Sequence, residues 1–367
     1  MPKQLKLSNS ILVDCGGCDR RNSSVSVSWN TTGRVLASSS HNTAKLWPTE
    51  FIPTSSSTYP SVIRETTTLQ HNAPVDRVRF HPKNPSILCT NVEDKTVQLW
   101  DLRENHGNNN NHTRSSTSST AFAKIPLKSS KGNCAASVEW ENVNSDNHLV
   151  VTEKDNTVRV LDVRKLRGAS TSATEVKVFQ FENVLAETHF SPSGTHLVSA
   201  ARRITDGMGL IHVYDWKTGK DKPCEHTFVG HSGPIYTLSF SPDGKRLATG
   251  GNDALVGLWD VKSMVCEKTI SRRTKFIRSV AFSFDSSMLA CCSEEAGIDL
   301  ADPVSGEEIG ILSLEKRNDR SRGAAVGFGC DEIEFCPKAP HVIACARGEV
   351  NPNTPQVSIA RVNLENI

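Results

Sequence analysis

Residues 230–260, GHSGPIYTLSFSPDGKRLATGGNDALVGLWD, constrain the fold more than any other stretch of this 367-residue chain. IYTLSF alternates apolar and polar residues, SPDG is a tight-turn sequence, and RLATGG is a second strand-like run. Asn252-Asp253 then turns the chain into LVGLWD. Alternation at period two, broken by turn residues about every ten positions, specifies short antiparallel strands. Three such strands cannot bury their own faces, so the rest of the chain must supply more sheets.

The pattern recurs at 25–47, 71–101, 136–162, 184–215, 277–302 and 331–362, which makes seven units with the first. Their third strands are predicted to end at Trp47, Trp100, Leu161, Tyr214, Trp259, Ala301 and about Ala360, spaced 42 to 61 residues apart. Gly230-His231 at the start and Trp259-Asp260 at the end resemble a WD40 repeat, one blade of a β-propeller. The resemblance implies an all-β, seven-bladed WD40 propeller as one domain over 1–367. Its blades are expected at about 25–69, 75–127, 136–181, 184–229, 235–271, 277–315 and 331–362. Lys6–Val13 reads as an extra strand before the first blade. It is predicted to pair with about Gln356–Val362 as the outermost strand of blade seven, leaving the ring no long open edge. The same resemblance places His231, Thr249, Asp253 and Trp259 in a buried hydrogen-bond network, repeated at the same spacing to within one residue by His71, Thr90, Asp94 and Trp100. These histidines and aspartates are read as structural, because buried polar groups need partners.

Composition narrows the function. No apolar run reaches about 18 residues, so no membrane span is expected. The first residues, MPKQLKLSNSILVD, lack the core of a secretory leader. Eleven scattered cysteines fit reduced thiols better than a disulfide framework. A net charge of +2 carries no message about nucleic acid. Cys15-Gly-Gly-Cys18 stands without the two further ligands a zinc site needs. No phosphate loop, nucleophile elbow or HExxH is present. The expectation is therefore no enzyme, no cofactor and no metal.

Two kinds of surface feature remain. Inserts rich in Asn, Ser and Thr at 48–61, 104–120 and 167–174 each follow a predicted third strand and would project from the bottom face. Their composition cannot pack a core. On the opposite face, Arg202 and Arg203, Arg272, Arg273 and Lys275, and Lys316, Arg317, Arg320 and Arg322 fall in loops of neighbouring blades. Counting back four from Phe240, Phe80, Phe282 and Phe335 gives Tyr236, Asp76, Arg278 and Asp331, expected round the top mouth of the channel. With Arg272, Arg273, Arg317 and Arg320 they form the predicted partner-binding set.

A narrower resemblance lies in ATGGNDALVGLWDVKSMVCEKTISRR and IRSVAFSFDSSMLACCSEEAGIDLADPVSGEEI, about residues 231–310. These segments are similar to the THO complex subunit 3 family, WD-repeat subunits of the THO/TREX complex. That resemblance implies a nuclear, non-catalytic scaffold for transcription-coupled mRNA assembly and export, docked on large helical THO subunits, with RNA contact indirect or weak. The inserts and the 316–322 loop depart from the family pattern. Trp100-Asp101-Leu102-Arg103, echoed by Leu161-Asp162-Val163-Arg164, instead resembles substrate receptors of cullin-4 ubiquitin ligases. A free-standing RNA-binding propeller is the third reading.

Overall fold

The computed structural model describes residues 5–14, 26–49, 65–103, 121–127, 135–143, 147–166, 173–218, 226–312, 329–346 and 357–366. They form seven four-stranded antiparallel sheets. In blades one to six the strands follow chain order from the innermost outward. The innermost strands are Val27–Trp29, Val75–Phe80, Ala135–Trp140, Val184–Phe190, Ile235–Phe240, Ile277–Phe282 and Glu332–Cys336. Each lies against its neighbours in sequence, and the first meets the last, so the ring is closed.

Local chemistry sets each hairpin. In the turn from first to second strand, Gly33, Gly194 and Gly244 take φ of 66°, 65° and 71°, where a Cβ is disfavoured. Blade six has Ser286 at the same place, with φ of 60°. Asp243 braces the blade-five turn, accepting from Ser241 Oγ (2.6 Å) and the Lys245 amide (3.1 Å). Further out, a one-residue slip would turn every buried side chain to the wrong face, and the core pins the register. Trp47, Trp100, Leu161, Tyr214, Trp259, Ala301 and Ala360 stand opposite Leu36, Leu88, Leu149, Leu197, Leu247, Leu289 and Ile343. All fourteen are buried. The third-strand positions predicted from the repeat pattern therefore occupy one equivalent site in every blade.

The ring closes as the lone first strand suggested. Leu5–Asp14 pairs antiparallel with Val357–Asn366, with Lys6 opposite Glu365 and Val13 opposite Ile359. The pairing runs past Val362 to Asn366, further than the sequence pattern reached. Blade seven thus takes its outermost strand from one end of the chain and its inner three from the other. Insert 104–120 lies outside the described residues, as do nearly all of 48–61 and 167–174, Cys15, Cys18, and the loop with Lys316, Arg317, Arg320 and Arg322.

Candidate partner-binding surface

The polar residues separate into those that hold the blades and those left at the surface. In blade five, His231 Nδ1 donates to Asp253 (2.9 Å), and His231 Nε2 accepts from Thr249 Oγ1 (2.8 Å). Trp259 Nε1 donates to the same hydroxyl oxygen (3.0 Å). The Asp253 carboxyl is raised by burial, but the His231 hydrogen bond and the amides of Ser232 and Leu255 outweigh this and hold it below the usual range. Blade two keeps only three members of the set. Trp100 and His71 meet on Thr90 Oγ1 (3.0 Å each), while His71 Nδ1 points to the Leu69 carbonyl (3.1 Å). Asp94, expected as the histidine's acceptor, is exposed and instead accepts from the Thr96 hydroxyl and amide. Burial lowers the His71 pKa to about 4, so the ring is neutral. The hydroxyl-to-aromatic half recurs where Ser38 accepts from Trp47 (2.9 Å) and Ser199 meets Tyr214 (2.8 Å).

These geometries separate two substitutions that look equivalent in sequence. Asp253→Ala leaves a buried imidazole N–H without its acceptor and is expected to cost about 1–3 kcal/mol. Asp94→Ala removes a solvent-exposed turn cap and is expected to cost about 1 kcal/mol or less. Urea denaturation at pH 7 tests the difference, and equal midpoint shifts would contradict it. Because the folded pKa of Asp253 is depressed, its contribution is present above about pH 4. It fades as the pH falls through the folded value.

Blade six replaces the histidine by an arginine. Arg273 stands four residues before Ile277, as His231 stands four before Ile235. It is buried and donates to Glu295 (3.4 Å) and to the carbonyls of Ala296 and Gly297 (3.2 Å each). Its neighbour Arg272 forks onto Asp299, with two contacts of 2.9 Å, and bonds the Gly306 carbonyl (2.7 Å). Both arginines were expected to meet a partner. The structure spends them on blade six, because the buried Asp299 carboxylate and the half-buried Glu295 carboxylate need cationic partners there.

The channel holds an ion network the repeat pattern does not show. Arg77 spans it, pairing with Glu332 of blade seven (3.0 Å) and Glu187 of blade four (3.2 Å). Arg79 pairs with Glu332 (2.6 Å) and with Glu139 of blade three (3.0 Å). Burial acts to raise Glu332, but Arg79 and Arg77 win and keep it ionised. Glu334, without a salt bridge of its own among the described residues, is pushed up to about 8 by burial and by Glu332, against the pull of Arg79. Inner-strand amides facing the next blade also need acceptors. They find them in side chains: Val78 on Ser26, Thr188 on Ser137, Leu238 on Glu187, Ile333 on Ser279 and Val27 on Glu332. The belt lines a cavity of about 520 Å³, with Arg79, Glu139, Glu187, Glu332 and Glu334 in its wall. The signal lay in the positions one and three before each inner-strand terminal aromatic residue. Among the described residues no group of three or more His, Cys, Asp or Glu side chains could hold a metal.

The predicted mouth residues do share a structural position. In blades two to six the inner strand carries a bulge four residues before its terminal aromatic residue, occupied by Asp76, Ala136, Ala186, Tyr236 and Arg278. In blade seven the Asp331 amide bonds Ala346 O, and the next residue, Glu332, pairs with Ala346 as well. A bulge re-aims its side chain away from the ladder. Tyr236, Arg278 and Phe276 come together: the Arg278 guanidinium lies 4.8 Å from the Phe276 ring centre, and the Tyr236 ring 6.0 Å from it. Arg278 also pairs with Glu294, and Tyr236 donates to Asn252 (3.0 Å). Asp76 sits on blade two, across the ring from that trio, and Asp331 opens blade seven, next to blade six. At the opposite ends of the blades, Arg103 folds back on Asp101 and Arg164 on Asp162.

Comparison with known proteins agrees with this architecture. Residues 15–48, 63–101, 222–260 and 264–298 match the profile of the WD domain, G-beta repeat. The chain is 27% identical to THO complex subunit 3 of Arabidopsis thaliana, over 77% of this chain and 78% of that protein. It is 26% identical to WD repeat-containing protein AAC3 of Dictyostelium discoideum, over 77% of this chain and 56% of the relative. Pre-mRNA-processing factor 19 of Oryza sativa subsp. japonica is also 26% identical, over 71% of this chain and 44% of its own length. The chain thus spans about half the length of these last two relatives. Repeat matches fall on blades one, two, five and six, the remaining blades complete the circle in space, and the chain is a seven-bladed WD40 β-propeller.

Proposed function

We propose that this propeller is a non-catalytic scaffold subunit of a nuclear THO/TREX-type complex, coupling transcription to mRNA assembly and export. The likeness to THO complex subunit 3 along most of both chains carries the reading. A propeller offers rigid blades and a rim of loops, the arrangement that suits protein docking. The top mouth, with Tyr236, Phe276 and Arg278 in contact, is the face assigned to the helical THO partners. Aromatic and arginine side chains dominate the energetics of such contacts. Asp76 would contribute from across the mouth and Asp331 from blade seven, beside Arg278's blade. Arg272 and Arg273 hold the blade in place.

The tagged full-length chain, isolated from nuclear extract, is expected to bring down THO subunits. The double variant Tyr236→Ala/Arg278→Glu should lose them with its thermal midpoint near wild type. Recovery of a cullin adaptor, or of RNA without THO proteins, would replace this reading. Retained THO binding by the double variant would move the contact to another face.

A further inference from the structure

The bulge residue Tyr236 also forms one wall of a groove of about 240 Å³ between blades four and five. Val184, Leu185, Ala186, Pro234 and Ile235 line the rest of it, with Arg202 as its single charged residue. The groove exists because Ala186 fills the bulge position of blade four, where blade five has Tyr236. A methyl group beside a phenol ring leaves an apolar recess that the two inner strands cannot fill. Val184 at its edge is 38% exposed.

The arginine differs from its neighbours. Arg203 is paired with Asp206 (3.3 Å), Arg272 with Asp299 and Arg278 with Glu294. Arg202 is exposed and makes no side-chain hydrogen bond or ion pair with any described residue. Beyond the Tyr236–Phe276 contact, Lys275 is exposed and likewise without a partner among the described residues. An apolar recess flanked by an unpaired guanidinium is complementary to an aliphatic side chain next to a carboxylate. An arginine fork receives a carboxylate through two parallel hydrogen bonds, which fixes the orientation of what it binds.

We infer that this groove is a docking site for a partner peptide segment that seats a Leu, Ile or Val side chain between blades four and five and places a neighbouring Asp or Glu carboxylate on Arg202. The inference rests on the top face being the docking face and adds the chemistry of what docks there. Lys275 extends the positive edge toward a second acidic residue. A basic or RNA segment would meet Arg202 and Lys275 with the wrong sign or without an aliphatic anchor.

The probe is a phage-displayed library of random short peptides, panned on the full-length chain at low salt. Selected peptides are expected to carry an aliphatic residue beside Asp or Glu. Synthetic copies should weaken by about tenfold or more on Arg202→Glu and on Ala186→Leu, which fills the recess. They should also weaken with rising salt. Arg203→Ala should leave them unchanged, and thermal midpoints report whether each variant is folded. Selection of basic or purely polar peptides, or binding indifferent to Arg202→Glu in a folded protein, would overturn the inference. Because the selection needs no THO protein, a positive selection with a failed nuclear pull-down would refute the THO reading alone. The reverse pair of results would refute the groove alone.

Discussion

Replacing Arg79 by alanine is expected to destabilise the propeller by about 3–5 kcal/mol, the range for removing one partner of a buried ion pair. Its side chain is only 17% exposed and meets Glu332 and Glu139, as well as Ser26 Oγ (3.1 Å) and the Val78 carbonyl (2.8 Å). Without it, Glu332 keeps only Arg77 as an ion-pair partner among the described residues, and Glu139 loses the one ion pair it has there. The effect has a pH signature. Glu332 has a depressed folded pKa, so its contribution is present above about pH 4.5 and is lost as the pH falls through the folded value. The gap between wild type and Arg79→Ala should therefore be large in urea denaturation at pH 7 and should narrow at pH 4. A second change, Glu332→Gln in the Arg79→Ala background, should recover part of the loss because the two residues are coupled. A small gap at pH 7 would mean that the belt is hydrated and carries little of the stability.

Arg272→Ala is expected to cost a similar amount, about 3–5 kcal/mol, from a different part of the ring. Asp299 is 2% exposed in its side chain and, among the described residues, receives both of its side-chain hydrogen bonds from this one guanidinium. Arg272→Lys keeps the charge but not the fork, so it should fall between the two. Lys275→Ala, three residues on and exposed, should change stability by no more than about 0.5 kcal/mol. Thermal and urea unfolding of the three variants check the ordering. An Arg272→Ala protein with wild-type stability that loses its partner would restore the role its place in a basic cluster first suggested.

Arg273 shows why that cluster misled. In sequence, Arg272, Arg273 and Lys275 read as a positive loop. The spacing to Ile277 puts Arg273 where blade five has His231, but only the blade geometry shows it buried and bonded to Glu295, as His231 is to Asp253. A guanidinium can replace an imidazole because it still reaches the turn carboxylate and the two nearby carbonyls. Asp94 fails for the converse reason. It lies 23 residues after His71, against 22 in blade five, and the side chain turns to Thr96 while the histidine closes on a backbone carbonyl instead.

The amino-acid sequence by itself determined the number of blades, the register of their hairpins and the closing strand. Those depend on interactions local to each repeat: period-two alternation, a turn sequence, and a large or aliphatic residue opposite Leu or Ile. Even the degenerate ends Ala301 and Ala360 stood out, because neighbouring strand patterns fixed their place. The tertiary structure alone decided which charges are free. Arg77 and Glu332 lie 255 positions apart, and no local pattern links them. They meet because ring closure leaves only blade one between blade two and blade seven, and both side chains reach the axis. Desolvation there makes pairing obligatory. At the rim, Arg202 and Arg203 are adjacent in the chain, yet one is paired and the other faces a groove made by two blades.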